Sequence, residues 1–136
     1  GFSPVIENII LDVQVWTVLA LGKEFLPDPN VMDNVLSMKT AESGFPFHKE
    51  NSNGGFWSEG TAFSALLFRK LGLNEEAFLA MRTLEQIQLT NGGFPAATVH
   101  NLSTGDGWGY NQDPHIAPAA WFIMATANFN PFVLTQ

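Results

Sequence analysis

The chain has 136 residues, a net charge of −7 and no cysteine. That length suits one domain with a real core, and six basic residues are too few to neutralise a nucleic-acid backbone or hold an anionic membrane surface. The missing cysteine removes disulfides, zinc–thiolate sites and thiol nucleophiles, and the acidity disfavours acidic substrates, leaving neutral saccharides or small polar molecules as ligands.

Charged residues make up only 14% of the chain against 46% hydrophobic. The usual charged share is about a quarter, so part of the surface is expected to be covered by another chain or by further sequence. The start, Gly1-Phe2-Ser3-Pro4, lacks the positive region of a secretory leader.

The first predicted helix covers about Val5 to Leu21. Val5, Ile9, Val13, Trp16 and Ala20 recur at helical spacing, and Gly22 suits the stop. It is apolar nearly all round, so burial on several sides is expected. Asp12 and Gln14 interrupt it, and this run and the one holding Arg69 are too short to cross a bilayer. After Pro27 and Pro29, Asp28 or Asn30 is expected to cap a short helix over about Val31 to Lys39.

Residues 44–58 form a long glycine- and asparagine-rich loop. Ser58 reads as the N-cap of a third helix, about Glu59 to Leu71, with Glu59 in the first turn. Asn74 reads as the cap of a fourth, running to about Leu89, and the two make an αα-hairpin. Residues 94–118 are irregular, with one or two short strand pairings expected. A fifth helix runs over about Ala117 to Asn128, with Pro118 in its first turn.

The turn Asn53-Gly54-Gly55-Phe56 runs into Trp57-Ser58-Glu59 and recurs as Asn91-Gly92-Gly93-Phe94, 38 residues on. A third glycine-aromatic segment is Gly105-Asp106-Gly107-Trp108-Gly109-Tyr110. A period of that size points to stacked or ringed helical hairpins. The expected fold is therefore all-α, one domain over residues 1–136, with the long glycine-aromatic loops at one end.

Glu59 is the leading catalytic candidate. A carboxyl beside an indole such as Trp57 can hold a raised pKa and act as a general acid. The competing reading is a first-turn acid that stabilises its own helix. Asp106 and Asp113 are the candidate second carboxylates, since glycoside hydrolysis needs a pair; both also suit plain turn chemistry. Asp12 is either an inward-facing site residue or a buried acid with a structural partner. His115 is placed to shuttle a proton or bind substrate. Trp57, Trp108 and Tyr110 sit in glycine loops, where an aromatic face can stack on a ligand. Trp16 and Trp121 read as core. His48, His100 and His115 share no ligand spacing, so no metal site is expected. No P-loop, dinucleotide fingerprint or nucleophile elbow is present, and no cofactor is expected.

The pieces Asp12-Val13-Gln14-Val15-Trp16, Trp57-Ser58-Glu59-Gly60-Thr61-Ala62 and Pro114-His115-Ile116-Ala117-Pro118-Ala119-Ala120-Trp121 resemble segments of the α/α-toroid proteins, specifically the six-hairpin glycosidase-like barrels. Gln88 followed by Asn-Gly-Gly-Phe is similar, more distantly, to the repeat of the terpenoid cyclase and prenyltransferase toroids. The resemblance implies a partial α/α toroid with tryptophans and acids lining a sugar cleft. No Asp-rich diphosphate motif accompanies it, which weakens the cyclase reading. A whole ring needs more hairpins than this chain supplies, so the chain is expected either to self-associate or to belong to a larger barrel. The functional expectation is a carbohydrate-active, glycoside hydrolase-like protein; the alternative is a non-catalytic helical module for ligand binding or assembly.

Overall fold

A computed structural model describes residues 9–26, 28–50 and 53–133. The described chain is predominantly helical. In order come α1 (Leu11–Leu21), a 3-10 turn (Lys23–Phe25), α2 (Val31–Ser37), α3 (Ser58–Lys70), α4 (Asn74–Ile87), four two-residue strands and α5 (Ile116–Ala127). The strands are β1 (Phe94–Pro95), β2 (Leu102–Ser103), β3 (Gly109–Tyr110) and β4 (Pro114–His115). β1 pairs antiparallel with β4 and β2 with β3, so the irregular stretch carries two short pairings.

Helix α3 is the centre of the molecule. It packs against α4, α5 and α1, while α1 packs against α2. Every residue from Ser58 to Phe68 is buried except Glu59. Small residues, Gly60, Ala62, Ser64 and Ala65, let three neighbours approach it. The clearest close approach is at Gly60, where an added Cβ would lie 2.5 Å from the Trp57 ring and 2.8 Å from the Leu11 side chain.

The helix starts differ from the sequence expectations. Val5 to Asn8, the beginning of the first predicted helix, fall outside the described residues. Ser58 is the first helical residue rather than a cap, and its side chain makes no capping bond. Its backbone N–H instead donates to the Ala96 carbonyl at 3.0 Å. A neighbouring loop thus satisfies a donor that a capping side chain would otherwise take. Asn74 is likewise the first residue of α4 and caps nothing. Asp28 accepts from the Asn30 amide, and neither side chain caps α2.

A structural repeat is present, and it differs from the Asn-Gly-Gly-Phe echo. The equivalent segments are Gly44-Phe45-Pro46 and Gly93-Phe94-Pro95, 49 positions apart. The amide of Leu11 donates to the Phe47 carbonyl, and that of Ser58 to Ala96. Ile10 bridges His48 as Trp57 bridges Ala97. Each of these two helices therefore starts by docking on the next Gly-Phe-Pro loop. Within a repeat, the Trp57 amide donates to Phe45, and His115 pairs with Phe94. These bonds put Leu11, Ser58 and Ile116 at the same position of α1, α3 and α5. The second copy of the echo does form a turn: Gly92 has φ +83° and the Asn91 side chain accepts from the Gly93 amide.

Among the described residues no helix is long and apolar enough to cross a membrane.

Candidate functional site

Counting from the shared helix starts, Asp12, Glu59 and Ala117 are equivalent, as are Trp16, Phe63 and Trp121 one turn further on. The three aromatic rings meet. Trp16 and Trp121 stack at 6.2 Å, and both meet Phe63 edge-on, at 5.8 and 5.6 Å. Residues four apart share a helix face. The acids of α1 and α3 therefore lie on the face that carries this aromatic layer, one turn closer to the helix N-termini.

Glu59 is only partly covered, and burial pushes its carboxyl above the ordinary value of 4.5. The charge of His115 and a hydrogen bond from the Trp121 indole work against that rise, while the charge of Asp12 adds to it. Tyr110 is raised too, first by burial and then by the charges of Glu59 and Asp12. Asp12, Glu59, Tyr110, His115 and Trp121 thus form one interacting group, drawn from three helices and the segment before α5. A carboxyl tuned in this way can remain protonated nearer neutrality than a free glutamate and can donate a proton.

An aromatic cluster adjoins the acids. Tyr110 stacks on Trp57 at 5.4 Å with planes 20° apart. Trp108 meets Tyr110 edge-on at 5.2 Å, and His115 does so at 6.5 Å. Trp57 is 3% exposed, enclosed by Phe47, Phe63 and Tyr110. The expectation that its face holds a ligand is corrected: it is the platform under Tyr110. Trp108 is 54% exposed and does present a free surface. The indole N–H groups of Trp16 and Trp57 are buried without a hydrogen-bond partner, as are Gln14 Oε1 and the Ser58 and Ser64 hydroxyls. Unpaired buried donors of this kind need an explanation in packing or in ligand.

Asp106 and Asp113 lie apart from this group. Asp106 is exposed in a turn between Gly105 and Gly107, both at positive φ. Asp113 is exposed, and its backbone carbonyl accepts from Ala96 at 2.8 Å, a turn-and-strand role. Neither perturbs Glu59. Sequence spacing brings them forward through the nearby aromatics; the acid that acts on Glu59 is Asp12, 47 positions upstream. The signal for Asp12 is the shared pattern of an acid four residues before an aromatic ring, in Asp12–Trp16 and Glu59–Phe63. Among the described residues no group of three or more histidines and acids is placed to hold a metal.

A cleft of about 490 Å³ lies elsewhere. Val18, Leu21, Lys23, Leu67, Lys70 and Asn130 line it. Most of these belong to the C-terminal ends of α1 and α3, with Lys23 in the 3-10 turn and Asn130 beyond α5; Leu21 lies roughly 14 Å along α1 from Asp12 at the rise of a helix. The acid group lies near the helix N-termini, and exposed Trp108 meets its Tyr110. No protein-family model, no curated protein and no solved structure matches the chain.

Proposed function

We propose that this is a carbohydrate-active, glycoside hydrolase-like protein in which Glu59 is the general acid. The observation that carries the reading is the state of Glu59: a partly buried carboxyl, held toward its protonated form, beside a second acid and three ring side chains. Glycoside cleavage uses one carboxyl to protonate the leaving oxygen and a second to activate water or to attack the sugar. Asp12 takes the second role in this scheme, displacing Asp106 and Asp113. Trp108 and Tyr110 offer ring faces and edges for a neutral saccharide, and His115 supplies a donor to its hydroxyls. We read the convergence of α1, α3 and α5 as a partial α/α toroid; the repeated helix starts and the repeated acid-and-aromatic positions support that reading.

A second reading, a non-catalytic module for ligand binding or assembly, has one specific observation in its favour: α1 and α5 each carry an uncovered apolar face. Reducing-sugar release from a panel of neutral oligosaccharides separates the two. Glu59→Gln should lower turnover by about 10²–10⁴-fold, the range for a general acid. Asp12→Asn should also fall, and Asp106→Asn and Asp113→Asn should stay near the parent. Equal turnover for Glu59→Gln and the parent would remove the acid assignment. Saccharide binding without turnover, lost in Trp108→Ala, would favour the module.

A further inference from the structure

The equivalence of α1, α3 and α5 gives each helix a forward face, toward the next helix, and a backward face. On α1 the forward face is Leu11, Val15 and Val18, all buried; Leu11 meets Gly60 of α3. The equivalent residues of α3 are Ser58, Ala62, Ala65 and Arg69. The first three are fully buried, and Arg69 donates to the Ala125 and Thr126 carbonyls of α5 at 2.5 and 2.8 Å. The equivalents on α5 are Ile116, Ala120, Ile123 and Ala127. All four are exposed, Ile116 at 83% and Ile123 at 67%.

The backward faces show the complementary pattern. Gly60, Ser64 and Leu67 of α3 are buried. Their α5 equivalents are Pro118 and Ala125, which are buried, and Phe122, which is half-buried. On α1 the equivalents are Val13, Thr17 and Ala20, where Val13 is 58% exposed, Ala20 is exposed and Thr17 is half-buried. Val13 and Thr17 also line a groove of about 150 Å³ with Leu26 and Val31. Asp28 and Gln14 stand at the edge of that groove, while the helix positions themselves, Val13, Thr17 and Ala20 on α1 and Ile116, Ala120, Ile123 and Ala127 on α5, are uncharged. Arrays of stacked units that stop in one copy carry polar terminal faces; these helix faces are largely apolar.

We infer that the protein associates head to tail with a second copy of itself, the α5 face of Ile116, Ala120 and Ile123 seating on the partner's Val13, Thr17 and Ala20. The contact extends the stacking already made twice inside the chain, α1 on α3 and α3 on α5. It is heterologous, since two different patches meet, so a chain damaged at one patch keeps the other intact. The two patches begin beside Asp12 and His115, but the association is read without any activity and holds whether or not Glu59 is catalytic.

Analytical ultracentrifugation over a concentration series tests this with two variants of exposed positions, Ile123→Asp and Val13→Asp, their folds checked by circular dichroism. The parent chain should associate with rising concentration. Each variant alone should remain monomeric, and an equimolar mixture should form a one-to-one heterodimer through the remaining good ends. A monomeric parent overturns the inference. Association of Val13→Asp alone means that α5 pairs with α5, association of Ile123→Asp alone means that α1 pairs with α1, and either result overturns it. Monomeric variants that ignore each other when mixed overturn it as well. If Ile123→Asp or Val13→Asp fails to fold, Ile123→Ser and Val13→Ser carry the same mixing test.

Discussion

Trp16 of α1 and Trp121 of α5 stack with ring centroids 6.2 Å apart and planes 24° apart, although 105 positions separate them in the chain. Phe63 of α3 meets both edge-on. The contact ties the first and last helices through the central one, and the Trp121 indole N–H turns toward Glu59. One side chain therefore belongs both to the packing and to the electrostatics of the site.

That double role makes Trp121→Ala costly. Truncating a buried aromatic removes its transfer energy and leaves a cavity, about 3–5 kcal/mol in well-packed sites. Trp121 is 9% exposed, and we expect the low end of that range. Trp108→Ala, at a residue 54% exposed, should change stability by no more than about 0.5 kcal/mol. Urea unfolding midpoints of the two variants check this. Equal shifts would show that the three-ring layer is not a cohesive unit.

The titration of Tyr110 reads the site directly, because it is the only tyrosine of the chain. Burial, then the charges of Glu59 and Asp12, raise its pKa above 10.0. An absorbance titration of the phenolate should therefore show a single late step. Glu59→Gln removes one of those charges, so the step should move down toward 10.0 without reaching it, since burial persists. Glu59 has a linked effect at lower pH. Its folded pKa is raised, so its contribution to stability is greatest below 4.5, the ordinary value, and is lost as pH rises through the folded pKa. The stability difference between parent and Glu59→Gln should shift in favour of the variant across that window. A pH-independent difference would mean that Glu59 is as well solvated in the folded chain as in the unfolded one.

The helices were legible because their apolar residues recur with period 3.6. The structure ends α3 at Lys70 and α4 at Ile87, within two residues of the sequence reading. The capping of α3 was not legible. Ser58 has the residue type of a cap, but its amide is taken by Ala96, a partner 38 positions away. The repeat was half legible. Asn-Gly-Gly-Phe is the more similar pair of strings, yet the bonds that dock the helices come from Gly-Phe-Pro. Tertiary hydrogen bonds define that repeat, and the strings around it diverge. Trp57 is the plainest case. Its loop position suggests a free face, and three rings from other parts of the chain cover it. Glu59 is an acid beside indoles, as its sequence neighbours suggest, although the indole that bonds it is Trp121 rather than Trp57.

Gly60 sets how closely α1 approaches α3. It lies inside a helix, where alanine would ordinarily stabilise by about 1 kcal/mol through propensity. Here a Cβ would sit 2.5 Å from the Trp57 ring and 2.8 Å from the Leu11 side chain, and both neighbours are buried, with little room to yield. Overpacking of this kind costs about 1–3 kcal/mol, which outweighs the propensity gain. Gly60→Ala should therefore lower the melting temperature. It should also displace the Trp57 ring on which Tyr110 stacks, so the late Tyr110 step should move in the same variant. The stability loss alone would report the clash; the shift in Tyr110 would report that the helix-to-helix distance sets the geometry above Glu59. A more stable Gly60→Ala chain would mean that α1 and α3 have room to separate, and that the close approach does not hold the site in place.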